Sequence, residues 1–105
     1  MSSLPSPSTV DPNVLYMTAR EDVTISIDMT ALLIDDDPPT LPQAVLVPQD
    51  SRLPVTLLDT PIVDDTAVKQ RLRGLSQGTQ YKLYISILSS GQRREVVLTV
   101  NVARD

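Results

Sequence analysis

Residues 81–102 read YKLYISILSSGQRREVVLTVNV, and their rhythm decides the fold. Tyr81, Leu83, Ile85 and Ile87 alternate with Lys82, Tyr84, Ser86 and Leu88, the two-residue period of a strand with one buried face. Ser89-Ser90-Gly91-Gln92 interrupts the pattern, and Gly91 can take a positive φ without steric cost. The alternation then resumes, with Val96, Leu98, Val100 and Val102 on one side and Val97, Thr99 and Asn101 on the other. Two alternating runs around a short glycine-bearing turn predict a β-hairpin.

Working upstream, Val68, Gln70 and Leu72 face one way while Lys69, Arg71 and Arg73 face the other. The cationic stripe is a solvated strand face or a contact face for an acidic partner. Val23, Ile25, Ile27 and Met29 alternate with Thr24, Ser26, Asp28 and Thr30, a second half-buried strand. A short helical turn fits between Thr30 and Ile34, and the DDDPP run at Asp35–Pro39 ends it. Val45 and Val47, then Val55 and Leu57, predict two short strands. The prolines between Pro38 and Pro61 restrict these to edges or long connections. Six to eight strands at about this spacing, with no sustained helical period, predict an all-β protein, an immunoglobulin-like β-sandwich over residues 14–105.

Residues 1–13, MSSLPSPSTVDPN, carry three prolines and four serines with little apolar content. They predict an extended Pro-rich N-terminal arm whose ordering needs a neighbouring subunit. Leu4, Pro5 and Pro7 are candidate partner contacts, together with the Pro38–Pro61 stretch and the Lys69, Arg71, Arg73 face.

Composition narrows the chemistry. The 105 residues suit one domain, 41% are hydrophobic and 21% charged, and the three aromatics are all tyrosine. The core must therefore come from Val, Leu and Ile, side chains that favour a pleated surface. With no cysteine there is neither a disulfide framework nor a thiolate nucleophile. The absence of histidine removes the commonest general base and transition-metal ligand. A net charge of −4 argues against nucleic acid or an anionic membrane as partner. The N-terminus lacks the pattern of a secretion signal, and no apolar run is long enough to span a bilayer. Cytoplasmic synthesis is expected.

Two constellations merit a chemical test. Leu75, Gly78 and Tyr81 are spaced as a tyrosine corner, in which a core tyrosine hydroxyl bonds upstream backbone. That pattern specifies fold and carries no chemistry. Asp35, Asp36 and Asp37, with Asp64 and Asp65, could in principle offer oxygens to calcium. Six to eight converging oxygens are needed, and consecutive aspartates do not converge by themselves, so these read as solvated loops. No G-x-S-x-G elbow or phosphate-binding glycine loop is present. No catalytic residue, metal ligand or cofactor is expected, and the chain reads as no enzyme.

The stretch GLSQGTQYKLYISILSSGQRREVVLTVNV, residues 74–102, resembles the C-terminal half of a recurrent type of small tailed-phage structural protein. Shared features are the Gly-Leu pair, the Gly-Thr-x-Tyr corner, the Ser-Gly-Gln-Arg turn and the Glu-led final strand. DPNVLYMTAREDVTISIDMTALLIDDD, residues 11–37, is similar to that family's opening segment, first strand and acidic turn. The chain departs from the pattern in lacking a tryptophan near Asp28–Thr30 and in its extra prolines between Pro38 and Pro61. The resemblance implies a multicopy virion component, a fibre–tail adaptor or a capsid-decorating cement protein, whose partners are capsid, tail or fibre subunits. A free-standing adhesion module binding host-surface carbohydrate is the alternative, with Tyr16 and Tyr84 as its available aromatics.

Overall fold

A computed structural model describes residues 14–51 and 53–104. Among them run seven strands: β1 (Val14–Thr18), β2 (Val23–Asp28), β3 (Thr40–Pro48), β4 (Ile62–Asp64), β5 (Ala67–Leu72), β6 (Gln80–Ser89) and β7 (Gln92–Ala103). One turn of 3-10 helix, Thr30–Leu32, stands where the short helical turn was expected. The all-β expectation holds. The arm at 1–13, with Leu4, Pro5 and Pro7, lies outside the described residues.

The strands form two sheets, β1-β7-β6-β3 and β2-β5-β4. All pairings are antiparallel except β1 with β7, which is parallel. One core unites the sheets. Met17, Leu46, Leu83, Ile85, Ile87 and Val100 enter it from the four-stranded sheet, and Val68 and Leu72 from the three-stranded one. The cause is the two-residue period, which turns every second side chain of β6 and β5 to one face. Packing two such faces together removes both from water.

The predicted hairpin joins β6 and β7, with Gln80–Ser89 paired against Gln92–Asn101. Its turn residues Ser90 and Gly91 both take positive φ, +51° and +75°, the combination whose twist matches paired strands. A serine accepts that conformation here because its N–H donates to the Asp37 carboxylate at 2.7 Å. Ser89 Oγ donates to the Asp37 carbonyl (2.8 Å) and accepts from the Ile34 N–H (3.0 Å). The acidic turn thus holds the hairpin tip.

The middle of the chain differs from expectation. Val55 and Leu57 do not build a strand; Val55 makes an isolated bridge to Leu46, its N–H donating to the Leu46 carbonyl at 2.8 Å. Pro54, directly before, has no N–H and cannot extend that ladder. β3 is an edge strand, as its prolines required, and its register is irregular between Thr40 and Gln43, where Leu41 takes φ +47°. The segment after β3, described at 49–51 and 53–61, leads to β4, the edge of the other sheet.

Candidate contact surface

The tyrosine corner forms as its spacing predicted. Tyr81 is 4% exposed, and its hydroxyl accepts the Ser76 N–H at 3.0 Å. Gly78 takes φ +70°, and its N–H donates to the Val102 carbonyl at 2.9 Å while Val102 N–H donates to the Thr79 carbonyl at 3.0 Å. Leu75 packs against the core edge. The corner fixes the loop before β6 to the end of β7. It is scaffold.

The outer face of the three-stranded sheet carries Lys69 and Arg71, and Arg73 follows β5. The structure brings them together with three carboxylates that the sequence did not pair with them. Lys69 Nζ meets Asp64 at 2.8 Å. Arg71 holds Asp22 through both Nε (2.7 Å) and a terminal nitrogen, a two-point contact. Arg73 Nε donates to Asp59 at 2.9 Å, and Arg71 lies 3.9 Å from the same carboxylate. Hydrogen bonds from these cations hold the carboxyls of Asp22, Asp59 and Asp64 below the usual carboxylate range. Three cations are matched by three anions, and Asp28, outward on β2, adds a fourth carboxylate to the same face. A contact face for an acidic partner would have to break those pairs.

Asp59 is held a second time. The inward-facing Gln70 is fully buried, and its Nε2 donates to the Asp59 carbonyl at 3.0 Å and to the Arg71 carbonyl at 2.9 Å. The crossing segment is therefore pinned at Asp59 by its backbone from within and by its carboxylate from outside. The aspartates considered for calcium do not gather. Asp64 pairs with Lys69, Asp37 caps the hairpin, and no group of three or more acidic residues converges among the described residues.

The four-stranded sheet has a different outer face. Because Leu46, Leu83 and Leu98 point inward, the adjacent row Val45–Tyr84–Val97 points outward across β3, β6 and β7. The next row runs Val47, Lys82, Thr99, Val14, with Lys82 Nζ donating to Thr99 Oγ1 at 2.8 Å. Tyr16, 74% exposed, stands at the β1 edge opposite Asn101. Six of the seven large apolar side chains exposed among the described residues fall between Leu41 and Ile62: Leu41, Val45, Leu53, Val55, Leu58 and Ile62. The Pro38–Pro61 stretch was predicted as contact from its prolines; its exposed aliphatics are the stronger signal, and alternation could not reveal them because the segment is irregular.

Comparisons with family models, curated proteins and solved structures found no match to this chain.

Proposed function

We propose that this chain is a structural subunit of a tailed-phage virion, an adaptor or cement protein that binds neighbouring subunits by surface burial and catalyses nothing. The fibre–tail adaptor role is favoured, with capsid cement close behind. The observation that carries the reading is exposed apolar surface, the Val45–Tyr84–Val97 row on the outer face of the four-stranded sheet and, separately from it, Leu53, Val55 and Leu58 of the crossing segment. A row of apolar side chains on the outer face of a small domain is a candidate interaction site. A standard interface buries about 800 Å² per partner, and repetition in an assembly makes weak single contacts sufficient.

The immunoglobulin-like reading belongs here too. The order β2-β5-β4 against β1-β7-β6-β3 corresponds to strands B-E-D against G-F-C, with the first strand moved beside G. The tyrosine corner at the start of β6 stands where strand F of that fold carries it. The corner lies in residues 74–102, which also carry the phage resemblance.

Mass spectrometry of purified particles, with copy counting, tests the proposal. The chain is expected in the particle in many copies, and its absence there would overturn the reading. A second reading, carbohydrate adhesion, is favoured by one observation: Tyr16 and Tyr84 share the outer face, and Tyr16 is exposed. Tight glycan-array binding that is lost with Tyr16→Ala would establish it in place of the first.

A further inference from the structure

Between β3 and β4, residues 53–61 belong to neither sheet and meet the body of the protein at a few named points. Leu57, Asp59 and Pro61 are half-buried, and the residues around them are exposed. Val55 N–H donates to the Leu46 carbonyl at 2.8 Å, and Leu57 packs against the core. Leu58 Cδ1 rests over Gly74, 3.2 Å from where a Cβ on that glycine would stand. Asp59 makes the polar contacts. Its carbonyl accepts from Gln70 Nε2 at 3.0 Å, and its carboxylate accepts from Arg73 Nε at 2.9 Å, with Arg71 at 3.9 Å.

The two holds on Asp59 differ in kind. Gln70 reaches it from the interior, where its amide is shared between the Asp59 and Arg71 carbonyls. A buried amide is costly to leave unpaired, so the core penalises any departure of the Asp59 backbone, and no proton alters that hold. Arg73 and Arg71 reach Asp59 from outside, beside a hollow that Thr24, Thr60, Ile62 and Lys69 also line. The charged groups around the carboxylate are thus Arg71, Arg73 and Lys69 of the β5 side, and Asp22, which Arg71 also holds. The hydrogen bond from Arg73 keeps the Asp59 carboxyl below the usual carboxylate range, against the opposing charge of Asp22.

We propose that residues 53–61 are a strap that opens as one unit while both sheets stay folded, with Asp59 as its clasp. Gln70 holds the clasp from inside at any pH, and Arg73 and Arg71 hold it from outside only while Asp59 is ionised. Opening breaks the Val55–Leu46 bridge, withdraws Leu57 from the core and uncovers an apolar mouth where β3 and β4 touch. The sheets outlast it because their joints lie elsewhere, in the ladders of β6 with β7 and of β2 with β5. Segments with few buried apolar contacts open locally, below the free energy of global unfolding. The outer hold is complete above the ordinary carboxylate pKa of about 3.9 and is lost as pH falls through the lowered folded value. Neither strap nor clasp requires a partner, so the virion reading can fail without them.

Amide exchange of the full chain, read residue by residue at about pH 7 and about pH 3 and corrected for intrinsic rates, tests the strap. The Val55 amide should exchange about tenfold or more faster than the Ile85 amide of the central strand β6. Asp59→Asn keeps the shape and removes the charge. It should speed Val55 by about threefold to tenfold at neutral pH, leave Ile85 unchanged and abolish the further rise in acid. Gln70→Leu should speed Val55 by about tenfold, and Asp64→Asn, which removes the neighbouring pair with Lys69, should leave it as it was. Asp59→Asn alters only an outer side chain, so it decides the matter even where Gln70→Leu loosens the core. Equal rates at Val55 and Ile85 in every variant would overturn the strap, because opening is then global. A Val55 rate unmoved by Asp59→Asn, or moved as much by Asp64→Asn, would overturn the clasp.

Discussion

The two outer faces of this protein solve the exposure of a sheet in opposite ways. On the three-stranded sheet, Lys69, Arg71 and Arg73 meet Asp64, Asp22 and Asp59, and the face closes on itself electrostatically. On the four-stranded sheet, Val45, Tyr84 and Val97 form a row with no charged side chain in it. Charge that is already paired inside one chain offers a partner little, because its ion pairs must be broken before new ones form. Apolar surface left in water offers a partner about 25 cal/mol for each Å² it covers. On the proposed reading, the four-stranded side is the one that docks.

The deepest break to that comparison comes from beneath both faces. Ile85 is fully buried between the sheets, and Ile85→Ala is expected to cost about 2–5 kcal/mol in a denaturant titration, loosening both surfaces together. A smaller loss, about 1 kcal/mol, is expected for Tyr81→Phe, which removes the acceptor of the Ser76 N–H and keeps the ring in the core.

Acid separates the faces. Asp22, Asp59 and Asp64 have carboxyls lowered by their cationic partners, so their contribution is complete above the ordinary carboxylate pKa, about 3.9. It is lost as pH falls below that value through the depressed folded values. The melting temperature should therefore hold steady from about pH 5 to 7 and decline below about pH 4. In the triple variant Asp22→Asn, Asp59→Asn, Asp64→Asn the decline should be shallower; an unchanged decline would place the acid sensitivity elsewhere. The smallest stability effect belongs to the apolar row. Val45→Thr should change stability by no more than about 0.5 kcal/mol, yet lower incorporation into particles. Equal incorporation of the variant would remove this row from the interface.

Sequence and structure agree best where interactions are local. The β6–β7 hairpin, the corner at Leu75, Gly78 and Tyr81, and the inward set Val68, Gln70 and Leu72 follow from alternation and turn chemistry within a few residues. The pairing of Arg71 with Asp22 joins side chains 49 positions apart, and that of Arg73 with Asp59 spans 14. Neither is visible in a local pattern, so the cationic stripe looked available in the sequence and is occupied in the fold. Parity foretold that Gln70 points inward; that its amide would hold Asp59 depended on where the irregular segment crosses. The false strand at Val55 and Leu57 has the same origin, since a single bridge to Leu46 satisfies Val55 where Pro54 forbids more.

The central claim is that partners dock on the four-stranded side. Hydroxyl-radical footprinting of the chain free and within purified particles tests it at both faces at once. Oxidation at Val45, Tyr84 and Val97 should fall in the particle while that at Ile62 and Lys69, on the other sheet, stays as in the free chain. Protection of Ile62 and Lys69 with Tyr84 unchanged would contradict the account.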